Sequence, residues 1–202
     1  MEAFRPILPS PRYLPTDHID ADHHGIPKLE RQLFLLDTRL AEDDIKRRFP
    51  TLAAYLKEGR ARDLHARYLC SHRAPWYAQE NRPAPPIVCT YLGRSNTARG
   101  RPFRFILNRS LATVANLYLA MYPTPLLARA IAREPSLIDR AWQALNDITP
   151  EQLLGEGRVY GGGLHKLEPK ELANVPVPQL MALIPIADRP PRQADFLTEF
   201  VA

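Results

Sequence analysis

At 202 residues, 45% apolar and 24% charged, the chain suits one domain with a real core, and its composition excludes a disordered polypeptide. No apolar run approaches the roughly twenty residues of a membrane span, and no signal peptide opens the chain. Two cysteines, Cys70 and Cys89, without metal-ligand spacing imply reduced, buried thiols and a cytoplasmic setting.

Proline, at 21 of 202 residues, is about twice as frequent as usual, so much of the chain is extended or looped. Residues 1–27 are proline-rich with few periodic apolar positions, and read as an extended arm lying on a partner surface. Within it, Asp17-His-Ile-Asp-Ala-Asp-His-His24 offers metal-ligand residue types. The proline and Gly25 that flank the run deny it helical i, i+4 spacing, so it reads as a polar loop. Residues 28–202 then form a single domain. Leu29, Leu33, Leu36 and Leu40 fit either a short helix or a strand. Glu42 to Arg48 reads as helix, and Pro50 suits the first turn of a second helix with Leu52, Tyr55 and Leu56 on one face.

Ile87 to Leu92 and Phe103 to Asn108 read as two strands of a hairpin, with Phe103 and Phe105 on one face and Arg104 on the other. Its loop carries Arg94, Arg99 and Arg101. Three helices are expected next, over Thr113 to Tyr122, Thr124 to Arg133 and Ser136 to Leu145, with Trp142 in the core. Thr149-Pro-Glu-Gln152 matches a capping box, and a further short helix opens near Pro169. The expected class is α+β: a helical domain with a few short strands and a proline-rich N-terminal arm.

Two features point to a partner. The net charge of +5 is unevenly spread. Leu64 to Arg109 holds Arg67, Arg73, Arg82, Arg94, Arg99, Arg101, Arg104 and Arg109, no lysine, and one acid, Glu80. Guanidinium forks pair bidentately with phosphate and stack on rings, and Trp76, Tyr77 and Tyr91 are interleaved here. Nucleic-acid contact is therefore favoured over a solvated basic face. The second feature is glycine: five of the nine lie between Gly155 and Gly163. Gly161, Gly162 and Gly163 strip the side chains from one patch of backbone, bracketed by Arg158, Tyr160, His165 and Lys166. Such a patch is either a close-approach surface for an anionic backbone or a tight turn between two short strands.

Motifs for chemistry are absent. The glycines lack the preceding strand and the Gly-Lys-Ser/Thr of a nucleotide loop. No Gly-x-Ser-x-Gly or His-Glu-x-x-His occurs, and Glu168 and Glu171 pair with nearby lysines more simply than they form an acid–base couple.

The order of Pro6-Ile-Leu-Pro-Ser-Pro-Arg-Tyr-Leu14, Arg73-Ala-Pro-Trp-Tyr77, Phe105-Ile-Leu-Asn108, Arg158-Val-Tyr-Gly-Gly-Gly-Leu-His-Lys-Leu-Glu-Pro-Lys-Glu-Leu172 and Asn174-Val-Pro-Val-Pro178 resembles one family over nearly the whole chain. It is similar to the C-terminal target-recognition part of adenine-specific DNA methyltransferases of bacterial restriction–modification systems. The resemblance implies double-stranded DNA as one partner and a methyltransferase catalytic half as another. It also places S-adenosylmethionine on that separate domain, with no cofactor in this chain. Neither the Asn/Asp-Pro-Pro-Tyr/Phe motif nor Phe-x-Gly-x-Gly occurs here. The chain is thus expected to be the DNA-reading half of a split enzyme, or a remnant, and not to methylate alone. Candidate DNA contacts are Arg73, Arg94, Arg99, Arg101, Arg104, Arg109, Arg158, Tyr160, Gly161, Gly162, Gly163 and Lys166. Asn96 and Asn108 offer either amide contacts to adenine or turn capping. The alternative function is an assembly subunit that docks a partner through its arm and basic face.

Overall fold

A computed structural model of the chain describes residues 3–80, 82–94, 100–185 and 200–201. In chain order, β1 (Phe4–Ile7), β2 (His18–Ile19) and β3 (Leu33–Leu36) precede three helices. These are α1 (Glu42–Arg48), α2 (Pro50–Ala61) and α3 (Tyr68–Ser71). The strands β4 (Ile87–Thr90), β5 (Leu92–Arg94), β6 (Phe105–Asn108) and β7 (Tyr118–Pro123) follow. Then come α4 (Pro125–Arg133), α5 (Leu137–Asn146), α6 (Pro150–Glu156), β8 (Arg158–Tyr160), β9 (Leu164–Lys166), α7 (Pro169–Ala173), α8 (Pro178–Ala182) and β10 (Phe200–Val201). The class is α+β, as expected. Among the described residues, no helix is long and apolar enough to cross a membrane.

The core is a five-stranded sheet in the order β10-β7-β4-β6-β2. Strand alternation assigns its faces. Ile87, Cys89, Phe105, Leu107, Leu119 and Met121 pack against the buried residues of α4 to α8. Val88, Ile106 and Tyr118 point the other way and meet Leu8, Leu14, Ile19 and Ala112. A third cluster joins Ile45 of α1 and Leu52 and Leu56 of α2 to Ala3 and Tyr77.

The expected arm is part of the fold. β1 pairs antiparallel with β3 from Phe4↔Leu36 to Ile7↔Leu33, and β2 adds in parallel to β6. The Tyr118 hydroxyl donates to the Pro9 carbonyl at 2.5 Å. Proline suits this strip because it lies at sheet edges, where a missing N–H is tolerated. The same prolines break the apolar periodicity that would have flagged Leu8, Leu14 and Ile19 as core residues.

The expected hairpin pairs as β4 with β6, with Ile87 opposite Leu107 and Cys89 opposite Phe105. The helix expected over Thr113 to Tyr122 is instead β7, whose Met121 and Leu119 lie opposite Ile87 and Cys89. Both faces of β7 carry large residues, so its short apolar run fits a helical or a strand period equally. Tyr55, expected on the buried face of α2, is 63% exposed; the buried row is Leu52, Leu56 and Gly59.

Helix ends follow their local chemistry. Thr149 Oγ1 accepts from Gln152 N at 3.3 Å while Gln152 Oε1 accepts from Thr149 N at 2.9 Å, closing the predicted box at the start of α6. Thr149→Ala is expected to destabilise the domain by about 1 kcal/mol in urea titration.

Candidate nucleic-acid interface

The triglycine run joins β8 to β9, the turn between short strands that one reading of the sequence foresaw. With β5 they form a three-stranded sheet in the order β5-β9-β8. Arg94, Leu164 and Tyr160 form one cross-strand row, and Leu92, Lys166 and Arg158 the next. Period-two alternation puts both rows on one face. Gly162 and Gly163 turn the chain with φ of 72° and 68°, conformations that side chains other than glycine resist. A side chain built at Gly161 or Gly163 would meet open space, whereas at Gly162 the nearest atom is the Arg94 guanidinium. Arg94 donates to the Gly162 carbonyl at 2.7 Å and so ties β5 to the bare tip.

Two acids of the α7 start tune this face. Arg158 donates to Glu171 at 2.6 Å, and Lys166 meets Glu168 at 2.6 Å and lies 4.9 Å from the centre of the Tyr91 ring. Hydrogen bonding from Lys166 lowers the Glu168 carboxyl below its ordinary range, and Glu168 in turn raises the Lys166 ammonium. Among the described residues Arg94 meets a carbonyl and no carboxylate, so the described sheet face stays net cationic. Tyr160 is 44% exposed beside the glycines.

Seven predicted site residues therefore converge: Arg94, Arg158, Tyr160, Gly161, Gly162, Gly163 and Lys166. Of the remaining predicted arginines, the four that are described, Arg73, Arg101, Arg104 and Arg109, make their contacts elsewhere. Arg104 is turned inward, donating to Asp17 and to the carbonyls of Pro11, Leu14 and Thr16. Arg101 donates to the carbonyls of Asn146 and Ile148, tying down the end of α5. Arg109, at the opposite end of β6 from Arg104, pairs with Asp139 and donates to His18 Nε2. Arg73 donates to Gln79 and lines a groove of about 540 Å³ with Arg5, Arg82 and Asn116. Arg99 and Asn96 lie outside the described residues.

Other candidates are structural. The Asn108 amide donates to the Pro85 and Ala112 carbonyls, and its oxygen accepts from Ser110. The Tyr77 hydroxyl donates to Leu40 O and the Trp76 indole to Glu42. In the polar loop, Asp22 Oδ1 accepts from the backbone of His24 and Ile26, an Asx turn. Among the described residues no three metal-ligating side chains gather. Sequence reasoning missed Arg5 and Asn116 of the groove, which no motif flags because they are far from Arg73 in the chain and only the fold brings them beside it.

The family model of the Type II methyltransferase M.Eco57I C-terminal domain matches residues 3–197. The chain belongs to this family. It is 31% identical over 158 residues to the Type II methyltransferase M.XamI of Xanthomonas campestris pv. amaranthicola, covering 78% of this chain and 27% of that protein. It is 28% identical over 152 residues to the Type II methyltransferase M.AccI of Acinetobacter calcoaceticus, covering 75% of this chain and 25% of the relative. The chain thus spans about a quarter of the length of these relatives. No solved structure matches it.

A nucleotide-binding glycine loop leads from a strand into a helix. Here the glycines link two antiparallel strands. That geometry does not fit a nucleotide-type cradle.

Proposed function

We propose that this domain reads duplex DNA as the target-recognition part of an adenine-specific, S-adenosylmethionine-dependent methyltransferase of the restriction–modification type. A separate catalytic domain holds the methyl donor and performs the transfer. The observation that carries the reading is the Arg94 guanidinium seated on Gly162, beside glycines with open space around them and flanked by Arg158, Tyr160 and Lys166. Main chain without side chains lets a phosphodiester backbone come close, and the guanidiniums neutralise it. A methyltransferase must hold the duplex while the adenine is out of the stack. Phosphate contacts fix its register and other side chains read base edges. The assembly alternative needs an arm and a basic face that dock a partner, whereas β1 and β2 of the N-terminal strip pair with the chain's own β3 and β6.

The test is anisotropy of a labelled duplex titrated with the chain at several salt concentrations. Log affinity should fall linearly with log salt, by about 0.9 for each phosphate neutralised. Arg94→Gln with Arg158→Gln should flatten that slope by nearly two units. Salt-independent binding, or none to any duplex, would refute the proposal.

A further inference from the structure

Two arginines outside the arginine-rich segment share one aromatic ring. The guanidinium carbons of Arg12 and Arg31 lie 4.7 and 4.4 Å from the centroid of Tyr13, which is 43% exposed. Both arginines are exposed, and neither meets a carboxylate among the described residues. A guanidinium stacked on a ring spends its face and leaves its N–H edge pointing outward. Two such cations without a counter-charge make a local positive potential that an anion relieves.

The ring sits in a fixed turn. Pro11–Tyr13 is a single 3-10 turn in which Tyr13 N donates to Ser10 O at 2.9 Å, and Leu14 behind it is buried. Arg104 holds the carbonyls of Pro11, Leu14 and Thr16 at 2.8, 3.1 and 2.9 Å. Its own backbone pairs with Thr90 at the last residue of β4. One residue on, the Tyr91 carbonyl accepts from Leu167 N, next to the end of β9. The turn and the triglycine sheet therefore leave the same end of the central sheet.

We propose that Arg12 and Arg31, stacked on Tyr13, form a phosphate clamp for the DNA backbone, with Arg104 as the positioning residue of the turn. The inference rests on the DNA-reading function and adds a second contact to it. Phosphate contacts carry no sequence information, so any duplex serves as the probe.

The experiment compares the full chain with R12Q/R31Q on a random-sequence duplex across a salt series. A control, K57Q/R62Q, removes two exposed charges from α2 and its end. The clamp variant should lose about two units of salt slope and bind at least about ten-fold more weakly at low salt, with thermal midpoint unchanged. R12K/R31K should recover part of the slope, because charge returns without the planar fork. A slope unchanged in R12Q/R31Q while R94Q/R158Q weakens binding overturns the clamp and leaves the DNA reading standing. An equal loss in the K57Q/R62Q control also overturns it, because bulk charge then explains the effect. Failure of the unmodified chain to bind any duplex removes both.

Discussion

Arg104→Ala is expected to destabilise the domain by about 2–4 kcal/mol, although Arg104 touches no DNA in this account. The side chain is 15% exposed and its partner Asp17 29%, so the ion pair is largely screened from water. Its removal takes the guanidinium away from the Asp17 carboxylate and from the carbonyls of Pro11, Leu14 and Thr16 that it bridges. Partial exposure of Asp17 and Thr16 lets water recover some of the loss, which keeps the figure below that of a fully buried pair. Arg104→Lys should recover little, because one ammonium cannot span the same acceptors. Urea titration reads the stability, and the anisotropy assay should show weaker DNA binding as the Pro11–Tyr13 turn loosens. A change below about 0.5 kcal/mol, the size of a surface substitution, would mean that Arg104 does not pin the turn.

Gly93→Ala should be equally severe for a different reason. The added carbon would lie 1.4 Å from the Pro102 carbonyl oxygen and 2.4 Å from its carbon, both backbone atoms that cannot rotate aside. Gly93 faces His165 across the β5–β9 pair, so relief requires β5 to move away from Pro102 or the small sheet to come apart. A loss of about 3 kcal/mol or more is expected, in the range of overpacked cores. Gly155 is the contrast: it lies in α6 with open space around it, and alanine there should be neutral or stabilising by up to about 1 kcal/mol. Equal, small effects at both positions would show that Gly93 does not hold the close approach.

The helices were legible where punctuation is local. Proline at the first turn of α2, α4, α6 and α7, and the box at Thr149, depend on neighbouring residues alone, whereas α8, opening at Pro178, was not foreseen. β7 was not legible, because a short strand covered on both faces loses its alternation. The role of the N-terminal strip was hidden for a similar reason, since it gains its order from β3 and β6 rather than from its own pattern. The site was half legible. Alternation with Phe103 and Phe105 showed that Arg104 points away from the main core. It could not show that residues 11–17 cover that side. The pairing of Arg12 with Arg31 escaped notice because only tertiary packing brings Arg31 to the ring of Tyr13, the neighbour of Arg12 in the chain.

Hydrogen exchange read by mass spectrometry, with and without saturating random-sequence duplex, tests most directly where DNA sits. Slowed exchange across the β8–β9 hairpin at residues 158–166, joined by the turn around Tyr13, is the predicted result. Protection confined to α4 and α5, or none at all with DNA demonstrably bound, would contradict the account.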